Sequence, residues 1–309
     1  RDFILFNLAM EILFQSEARR RGILFKTEAY AGISAGLITA TAASGSLSIK
    51  DVAKLADYFW TNVLQEAHHV LGEPVQYYTV YVSDPEGYSK KIAKSPLNGI
   101  VEVYHYVSPD SLQVLVPLSH IPSFAGFNQS MQGVRTEPIR GPTREFSHSA
   151  RLTTARQRLE IFMEREGIFF QDPKIPILSN NGGTFLKSAE EVKSAILAIV
   201  DEPMKTDQTV KNLSTLNPDL LIEFGLGEKG RRILELNGSR IPCQSSGMNA
   251  ETNDSLFSAM IKLSKGRNPL ISIPTLAQTP LTNRTWQYVR KHLGVSPISE
   301  NSRQMDSLF

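Results

Sequence analysis

The residues whose spacing best suits chemistry are a serine and its two flanking glycines, in Gly32-Ile33-Ser34-Ala35-Gly36. Glycines two positions before and after a serine let a strand and a helix pass close together, while the serine sits in a strained, exposed turn. The backbone N–H of Ala35 would then help to hold an oxyanion. An ordinary turn produces the same pattern by chance, but a strand before it and a helix after it favour a nucleophile elbow. We therefore predict Ser34 as a nucleophile.

A serine hydroxyl is a poor nucleophile at neutral pH and needs a base, so the six histidines of the chain are the next candidates. One of them, His148, lies in Phe146-Ser147-His148-Ser149, just before a predicted helix. The others fall where packing or solvation is expected, near a helix end, in a strand or in loops: His68, His69, His105, His120 and His292. Its position just before a predicted helix sets His148 apart from the other five histidines.

The elements around Ser34 follow from the spacing of apolar and small residues. A strand is predicted over 23–33, followed by a turn at Ser34 and a helix of small residues over 35–43. A second helix is predicted over 48–69, because Ser48 with Asp51 three residues later forms a capping pair. Further helices are predicted over 3–17, 254–264 and 286–293.

Between residues 75 and 117 the apolar residues recur with period two. This predicts a small inserted α+β subdomain, closing near Gly141, with strands over 77–82, 100–106 and 112–116 and a helix over 87–94. The chain then returns to an α/β rhythm, with helices over 150–166, 188–200 and 207–216 and strands over 175–178 and 219–224.

The composition excludes several classes of protein. With 309 residues, 41% of them hydrophobic, the chain can bury a sizeable core. Net charge is +2 and no basic block stands out, so a nucleic-acid partner is not expected. No apolar run reaches the ~18 residues that a membrane span needs, so no membrane partner is expected. The only cysteine, Cys243, cannot form a disulfide within one chain, which favours a reducing, cytoplasmic setting.

Five segments, in order, resemble the malonyl-CoA:acyl-carrier-protein transacylase family, which includes the acyltransferase domains of polyketide and fatty acid synthases. Residues 32–36 resemble its Gly-His-Ser-x-Gly nucleophile motif, and residues 146–149 resemble the Phe-His-Ser segment that holds its catalytic histidine. Tyr106-Val107-Ser108-Pro109 is similar to its Asn-Ser-Pro strand pair. Pro176-Ile177-Leu178-Ser179-Asn180 is similar to its Pro-Val-x-Ser-Asn strand, and Glu223-Phe224-Gly225-Leu226-Gly227 is similar to its Glu-x-Gly-Pro-Gly turn.

The resemblance implies ping-pong acyl transfer. Ser34 attacks a donor thioester with His148 as base, and the phosphopantetheine thiol of an acyl carrier protein resolves the acyl-serine. The main-chain carbonyl of Asn180 would orient His148 in place of a triad carboxylate. The implied partners are an acyl carrier protein and an acyl-CoA or acyl-carrier-protein donor, within a multidomain synthase, and no metal or other cofactor is required.

The fold class that follows is α/β, with an α/β-hydrolase-like main subdomain around a parallel sheet and a small ferredoxin-like α+β inserted subdomain. The catalytic subdomain is expected to comprise residues 1–71 and 144–245, and the insert residues 72–143. Residues 246–309 resemble a C-terminal helix and the linker that follows acyltransferase domains in polyketide synthases.

Departures from the family pattern indicate the substrate. Phe59 stands where malonyl-specific members keep an arginine that clamps the free carboxylate, and no arginine lies between Arg21 and Arg135. Malonyl types also place a bulky phenylalanine where Ser147 lies. We therefore expect an uncharged monocarboxylic acyl group. The residues predicted to line its site are Ile33, Phe59, Trp60, Ser147 and Gln208, although Gln208 equally suits a structural hydrogen bond.

Other departures leave undecided which groups form the oxyanion hole. Ile33 replaces the family's histidine, and Val107 replaces its asparagine. The Gly-Gln-Gly-Ser segment, whose glutamine supplies the second oxyanion donor, has no match. Either it lies upstream of Arg1, or the hole is built differently, or the site is impaired, and we expect the first.

Two rival functions stay open. The same fold could pass the acyl group to water as an acyl-carrier-protein hydrolase, or it could be a catalytically impaired carrier-protein docking domain. An esterase of the α/β-hydrolase type is disfavoured, because it expects a late acid followed by a histidine, a place that only His292 could fill.

Overall fold

The structure is a computed structural model that describes residues 27–70, 72–143, 146–224, 229–246 and 270–274. All of them lie in Arg1–Ala277, the first of two compact units of the chain. The helices predicted over 3–17, 254–264 and 286–293 fall outside the described residues. None of the described helices is both long enough and apolar enough to cross a bilayer.

The described helices and strands alternate along most of the chain. The strands are β1 (Thr27–Ala31), β2 (Val75–Tyr81), β3 (Glu102–Ser108), β4 (Ser111–Pro117), β5 (Arg135–Thr143), β6 (Ile177–Leu178), β7 (Phe185–Leu186), β8 (Met204–Lys205), β9 (Leu220–Phe224), β10 (Cys243–Ser246) and β11 (Leu270–Pro274). The helices are α1 (Gly36–Ala43), α2 (Ile49–Tyr58), α3 (Leu64–Val70), α4 (Pro85–Ala93), α5 (Ile121–Gln129), α6 (Thr153–Arg165), α7 (Ala189–Asp201), α8 (Thr206–Thr215) and α9 (Lys229–Leu236). The fold is therefore mixed α/β, as predicted.

The main sheet has the strand order β10-β9-β11-β1-β6-β7. Its pairs are parallel except for β6 with β7. Strand β11 lies between β9 and β1, so this part of residues 246–309 belongs to the sheet and is not a linker, contrary to the sequence prediction. The strand was missed because a segment of five residues after a polar stretch shows too little apolar periodicity to predict a strand. Its partners in the sheet are also far away in sequence.

The second sheet has the order β5-β2-β4-β3-β8. Its first four strands pair antiparallel, with α4 after β2 and α5 after β4, which is the βαββαβ order of a ferredoxin-like unit. Strand β8, from the later part of the chain, adds to its edge in parallel with β3. The subdomain boundaries stay a prediction.

Strand β5 was not predicted. Its sequence contains Pro138 and Pro142 and alternates charged with small residues, so it carries little strand signal. Such a strand is tolerated here because β5 lies at the edge of its sheet, where proline removes no ladder bond that a second neighbour would need.

The helix predicted over 48–69 is interrupted. Its start is confirmed, because the Ser48 side chain accepts a hydrogen bond from the Asp51 N–H at 3.1 Å. After α2, however, a π-helical turn spans Phe59–Val63 before α3 begins, and both of its terminal side chains are buried. The wider turn shifts the helical face, so that Phe59 packs inward while Trp60 is 37% exposed.

Candidate active site

The turn between β1 and α1 holds the predicted nucleophile in a strained conformation. Ser34 has a φ of 54°, a left-handed value that residues other than glycine rarely adopt. A Cβ built on Gly32 would lie 2.2 Å from the carbonyl carbon of Gly36, so strand and helix pass too closely there for any side chain. The geometry is that of a nucleophile elbow.

The predicted base lies on a loop bonded to the end of α7. His148 also has a left-handed φ, of 61°. Its N–H donates to the Ile199 carbonyl at 3.2 Å, and the Ser149 N–H donates to the Val200 carbonyl at 3.2 Å. The last carbonyls of a helix have no partner within the helix, and here two of them hold the histidine loop.

The tertiary structure brings the two predicted residues together. The Ser34 Oγ lies 2.9 Å from the Nε2 of His148, and the Nδ1 of His148 lies 3.0 Å from the Glu202 carbonyl oxygen. Because a carbonyl only accepts, the proton resides on Nδ1, and Nε2 is left to accept from the Ser34 hydroxyl.

Burial controls the charge of this imidazole. Only 3% of His148 is exposed, and burial is the main cause that lowers its pKa from 6.5 to about 3. The hydrogen bond to Glu202 raises the pKa, and the nearby His105 lowers it further. The ring is therefore neutral at pH 7, as a base must be before it takes up the serine proton.

The orienting carbonyl is not the one expected. The main-chain oxygen of Asn180 accepts from the Lys205 N–H at 2.7 Å, whereas the Glu202 oxygen faces His148. Glu202 follows α7 in an extended conformation, with φ −110° and ψ 144°, and precedes Pro203. A residue before proline is pushed out of the helical region, which turns its carbonyl away from the helix. Pro203, three residues after the helix predicted over 188–200, was the signal that sequence reasoning missed.

A neighbouring amide also reaches this carbonyl. The Asn181 Nδ2 lies 3.4 Å from the oxygens of Ala198, Glu202 and Pro203. The motif that resembles Pro-Val-x-Ser-Asn thus contacts the histidine system through its following residue, Asn181, rather than through the carbonyl of Asn180.

The remaining predicted site residues lie at different depths. Ala35 is buried at the N-terminal end of α1, and Phe59 belongs to the same buried apolar cluster. Ile33 packs against that cluster and is partly buried, and Ser147 is half-buried beside His148. Their roles toward a substrate stay predictions.

Gln208 belongs to α8. It lines a cleft of about 440 Å³ together with Tyr106, Gly182 and Lys205. The lining residues among those described include neither Ser34 nor His148. Its side chain also donates to the Asp207 carboxylate at 3.2 Å, so a structural hydrogen bond is present.

Comparison with known proteins gives a match at the level of structure. No family model and no curated protein matches the sequence. The malonyl-CoA:acyl carrier protein transacylase from Helicobacter pylori is 16% identical, with a TM-score of 0.65, over 77% of this chain and 72% of that one. The corresponding enzyme from Clostridium perfringens is 20% identical, with a TM-score of 0.70, over 82% of this chain and 77% of that one.

A third structure is a complex of a type II polyketide synthase acyl-carrier protein with its malonyl-transacylase. It is 22% identical, with a TM-score of 0.65, over 82% of this chain and 79% of that one. This chain has the fold of the malonyl-CoA:acyl-carrier-protein transacylases. At these identities the likeness establishes the transacylase fold.

Proposed function

We propose that the chain is a serine acyltransferase, which moves an acyl group from a thioester donor through an acyl-Ser34 to the thiol of an acyl carrier protein. The observation that carries the proposal is the Ser34 Oγ to His148 Nε2 contact of 2.9 Å. A hydroxyl on a strained elbow next to a neutral imidazole, whose second nitrogen is held by a carbonyl, is the arrangement that nucleophilic acyl transfer needs.

The reaction runs in two balanced halves. The Ser34 oxygen attacks the thioester carbon while Nε2 of His148 takes the hydroxyl proton, and the donor thiol leaves with that proton. The phosphopantetheine thiol then loses its proton to the same nitrogen and attacks the acyl ester, which returns the hydroxyl to Ser34. We assign the N–H of Ala35, the residue that precedes α1, as an oxyanion donor in both halves.

The acyl carrier protein is proposed as acceptor because one structure of the same fold contains such a protein with its transacylase. Both halves need only groups that the chain and its substrates carry, so no cofactor is invoked. We place the protein in the cytoplasm, where its single cysteine, Cys243, stays reduced.

We further propose that the acyl group is uncharged. Phe59 belongs to the same buried apolar cluster as Ala35 of the elbow, and no arginine lies between Arg21 and Arg135 in the sequence. Arg151, which is close to His148 in sequence, is bonded to Glu102. A free carboxylate buried among apolar side chains without a cation would lose its hydration uncompensated.

The test is intact-protein mass spectrometry after incubation with a panel of acyl-CoAs, followed by a purified holo acyl carrier protein. We expect a mass increase by one acyl group, its transfer to the carrier protein, and no increase in Ser34→Ala. A stable acyl adduct on Ser34→Ala would disprove the role of Ser34. Release of the free acid without transfer would instead make the chain a hydrolase.

A further inference from the structure

An ion pair lies next to the histidine loop and joins it to the second sheet. The Ser149 Oγ donates to the Glu102 carboxylate at 2.5 Å, and the Nε of Arg151 bonds to the other oxygen of that carboxylate. Glu102 is the first residue of β3, whereas Ser149 directly follows His148. The contact therefore spans the βαββαβ unit and the loop that holds the base.

The ion pair is well anchored on the side of the second sheet. The Arg151 guanidinium also donates to the main-chain oxygens of Gly99 and Ile100, the latter at 3.0 Å. The side chains of Arg151 and Glu102 are 22% and 18% exposed, and Ser149 is fully buried. Charge-assisted bonds in such a half-buried setting hold geometry better than exposed pairs do.

The histidine loop needs such an anchor, because His148 has a left-handed φ of 61°. A strained backbone persists only where surrounding contacts over-determine it. The carbonyls of α7 hold the loop from one side, through the N–H groups of His148 and Ser149. Glu102 holds it from the other side, through the Ser149 hydroxyl.

We propose that Glu102, acting through Ser149 and supported by Arg151, is a positioning residue that keeps the His148 ring between Ser34 and the Glu202 carbonyl. None of the three touches the reacting atoms. The proposal rests on the proposed function for its kinetic consequences, but the position of the imidazole can be measured without turnover.

The chain contains a matched control. On the same sheet, Glu137 of β5 is ion-paired with Arg135 at 3.0 Å and accepts from the Tyr81 hydroxyl at 3.1 Å. It thus has one arginine and one hydroxyl partner, as Glu102 has. It differs in being bonded to strand β2 rather than to the histidine loop, and in being more exposed, at 50% against 18% for Glu102.

The experiment compares Ser149→Ala and Glu102→Ala with Tyr81→Phe and Glu137→Ala in the full chain. The first readout is the downfield proton resonance of the His148 Nδ1–H, assigned by its loss in His148→Ala, which reports the bond to Glu202. We expect it to broaden or disappear in the first two variants and to persist in the other two. Circular dichroism and thermal melting check that each variant is folded.

The second readout is the rate of acyl-Ser34 formation under saturating acyl-CoA. We expect it to fall roughly tenfold to a hundredfold in Ser149→Ala, with little change in the KM for the acyl-CoA, because misplacement of a catalytic group by about 1 Å has an effect of that size. Ser149→Thr, which keeps the hydroxyl, should restore most of the rate.

Two outcomes overturn the proposal, and two further cases leave it testable. An unchanged Nδ1–H resonance in folded Ser149→Ala overturns the proposal, and so does an equal loss of rate in Glu137→Ala. If Glu102→Ala fails to fold, Ser149→Ala, which leaves the Glu102–Arg151 pair intact, gives the answer alone. If the unmodified chain forms no acyl-enzyme, the proposed function fails, while the resonance still tests the positioning of His148.

Discussion

The Nδ1 of His148 lies 3.0 Å from the main-chain oxygen of Glu202, so a peptide carbonyl takes the place that a carboxylate has in a Ser-His-Asp triad. A carbonyl holds the tautomer and orientation of the ring but carries no full negative charge. The imidazolium that forms during the reaction is therefore stabilised by the carbonyl dipole and by the C-terminal end of α7.

We predict that His148→Ala slows acyl-Ser34 formation by about 10²–10⁴-fold, the usual contribution of a general base, without unfolding the chain. Single-turnover mass spectrometry with an acyl-CoA measures this rate. The control is His69→Ala, an exposed histidine on α3, which should load at the normal rate. Normal loading of His148→Ala would exclude the proposed base.

A second prediction concerns acid stability. Burial lowers the pKa of His148 to about 3 and that of His105 to about 4. Below pH 6.5 the unfolded chain binds a proton on each imidazole that the folded chain does not. The free energy of unfolding should therefore be highest above pH 6.5 and should fall by about 1 kcal/mol per pH unit for each group until its folded pKa is reached.

Urea unfolding between pH 7.5 and 4.5 measures this slope. The His105 ring bonds to Thr206 Oγ1 at 2.7 Å and to Gln113 Oε1 at 3.1 Å, so His105→Gln keeps a polar group there without the titration. It should make the slope shallower, whereas His69→Gln should leave it unchanged. A slope in His105→Gln as steep as in the unmodified chain would contradict the prediction.

A third prediction concerns the elbow. Gly32→Ala should destabilise the chain by about 1–3 kcal/mol or more and should abolish loading, because the new methyl group would overlap the backbone of Gly36 and Leu37. Thermal melting and acyl-CoA loading measure the two effects.

The same substitution at Gly126 is the control. That residue lies within α5, and a Cβ there meets no atom within 4 Å. Gly126→Ala should stabilise the chain by roughly 0.5–1 kcal/mol, because alanine loses less backbone freedom in a helix. If both variants behave alike, the close approach of strand and helix at Gly32 does not explain why the motif has a glycine there.

The fourth prediction concerns the acyl group. Acetyl-, butyryl- and hexanoyl-CoA should load Ser34 roughly a hundredfold or more faster than malonyl-CoA, because a free carboxylate lacks a guanidinium partner. Phe59→Arg should weaken this preference, unless the adjacent Trp60 blocks the new side chain. A clear preference of the unmodified chain for malonyl-CoA would show that Phe59 does not set the specificity.

The local chemistry of this protein was readable from its sequence. The elbow depends on Gly32 and Gly36 within five residues, and the start of α2 depends on Ser48 and Asp51 within four. Such features are decided by backbone conformation and by short-range hydrogen bonds, so neighbouring residue types suffice to predict them. The helices over 35–43 and 188–200 could be predicted for the same reason, and the structure has them over Gly36–Ala43 and Ala189–Asp201.

Contacts between distant segments were decided only by the tertiary structure. Ser34 and His148 are 114 residues apart, and their pairing rested on a resemblance until the fold placed them 2.9 Å apart. The carbonyl that orients His148 belongs to Glu202, and a main-chain oxygen has no side-chain type by which a sequence could mark it. The place of β11 between β9 and β1 is likewise set by ladder bonds to strands far away in the chain. Periodicity describes which face of a segment is apolar, but it carries no information about which partner covers that face.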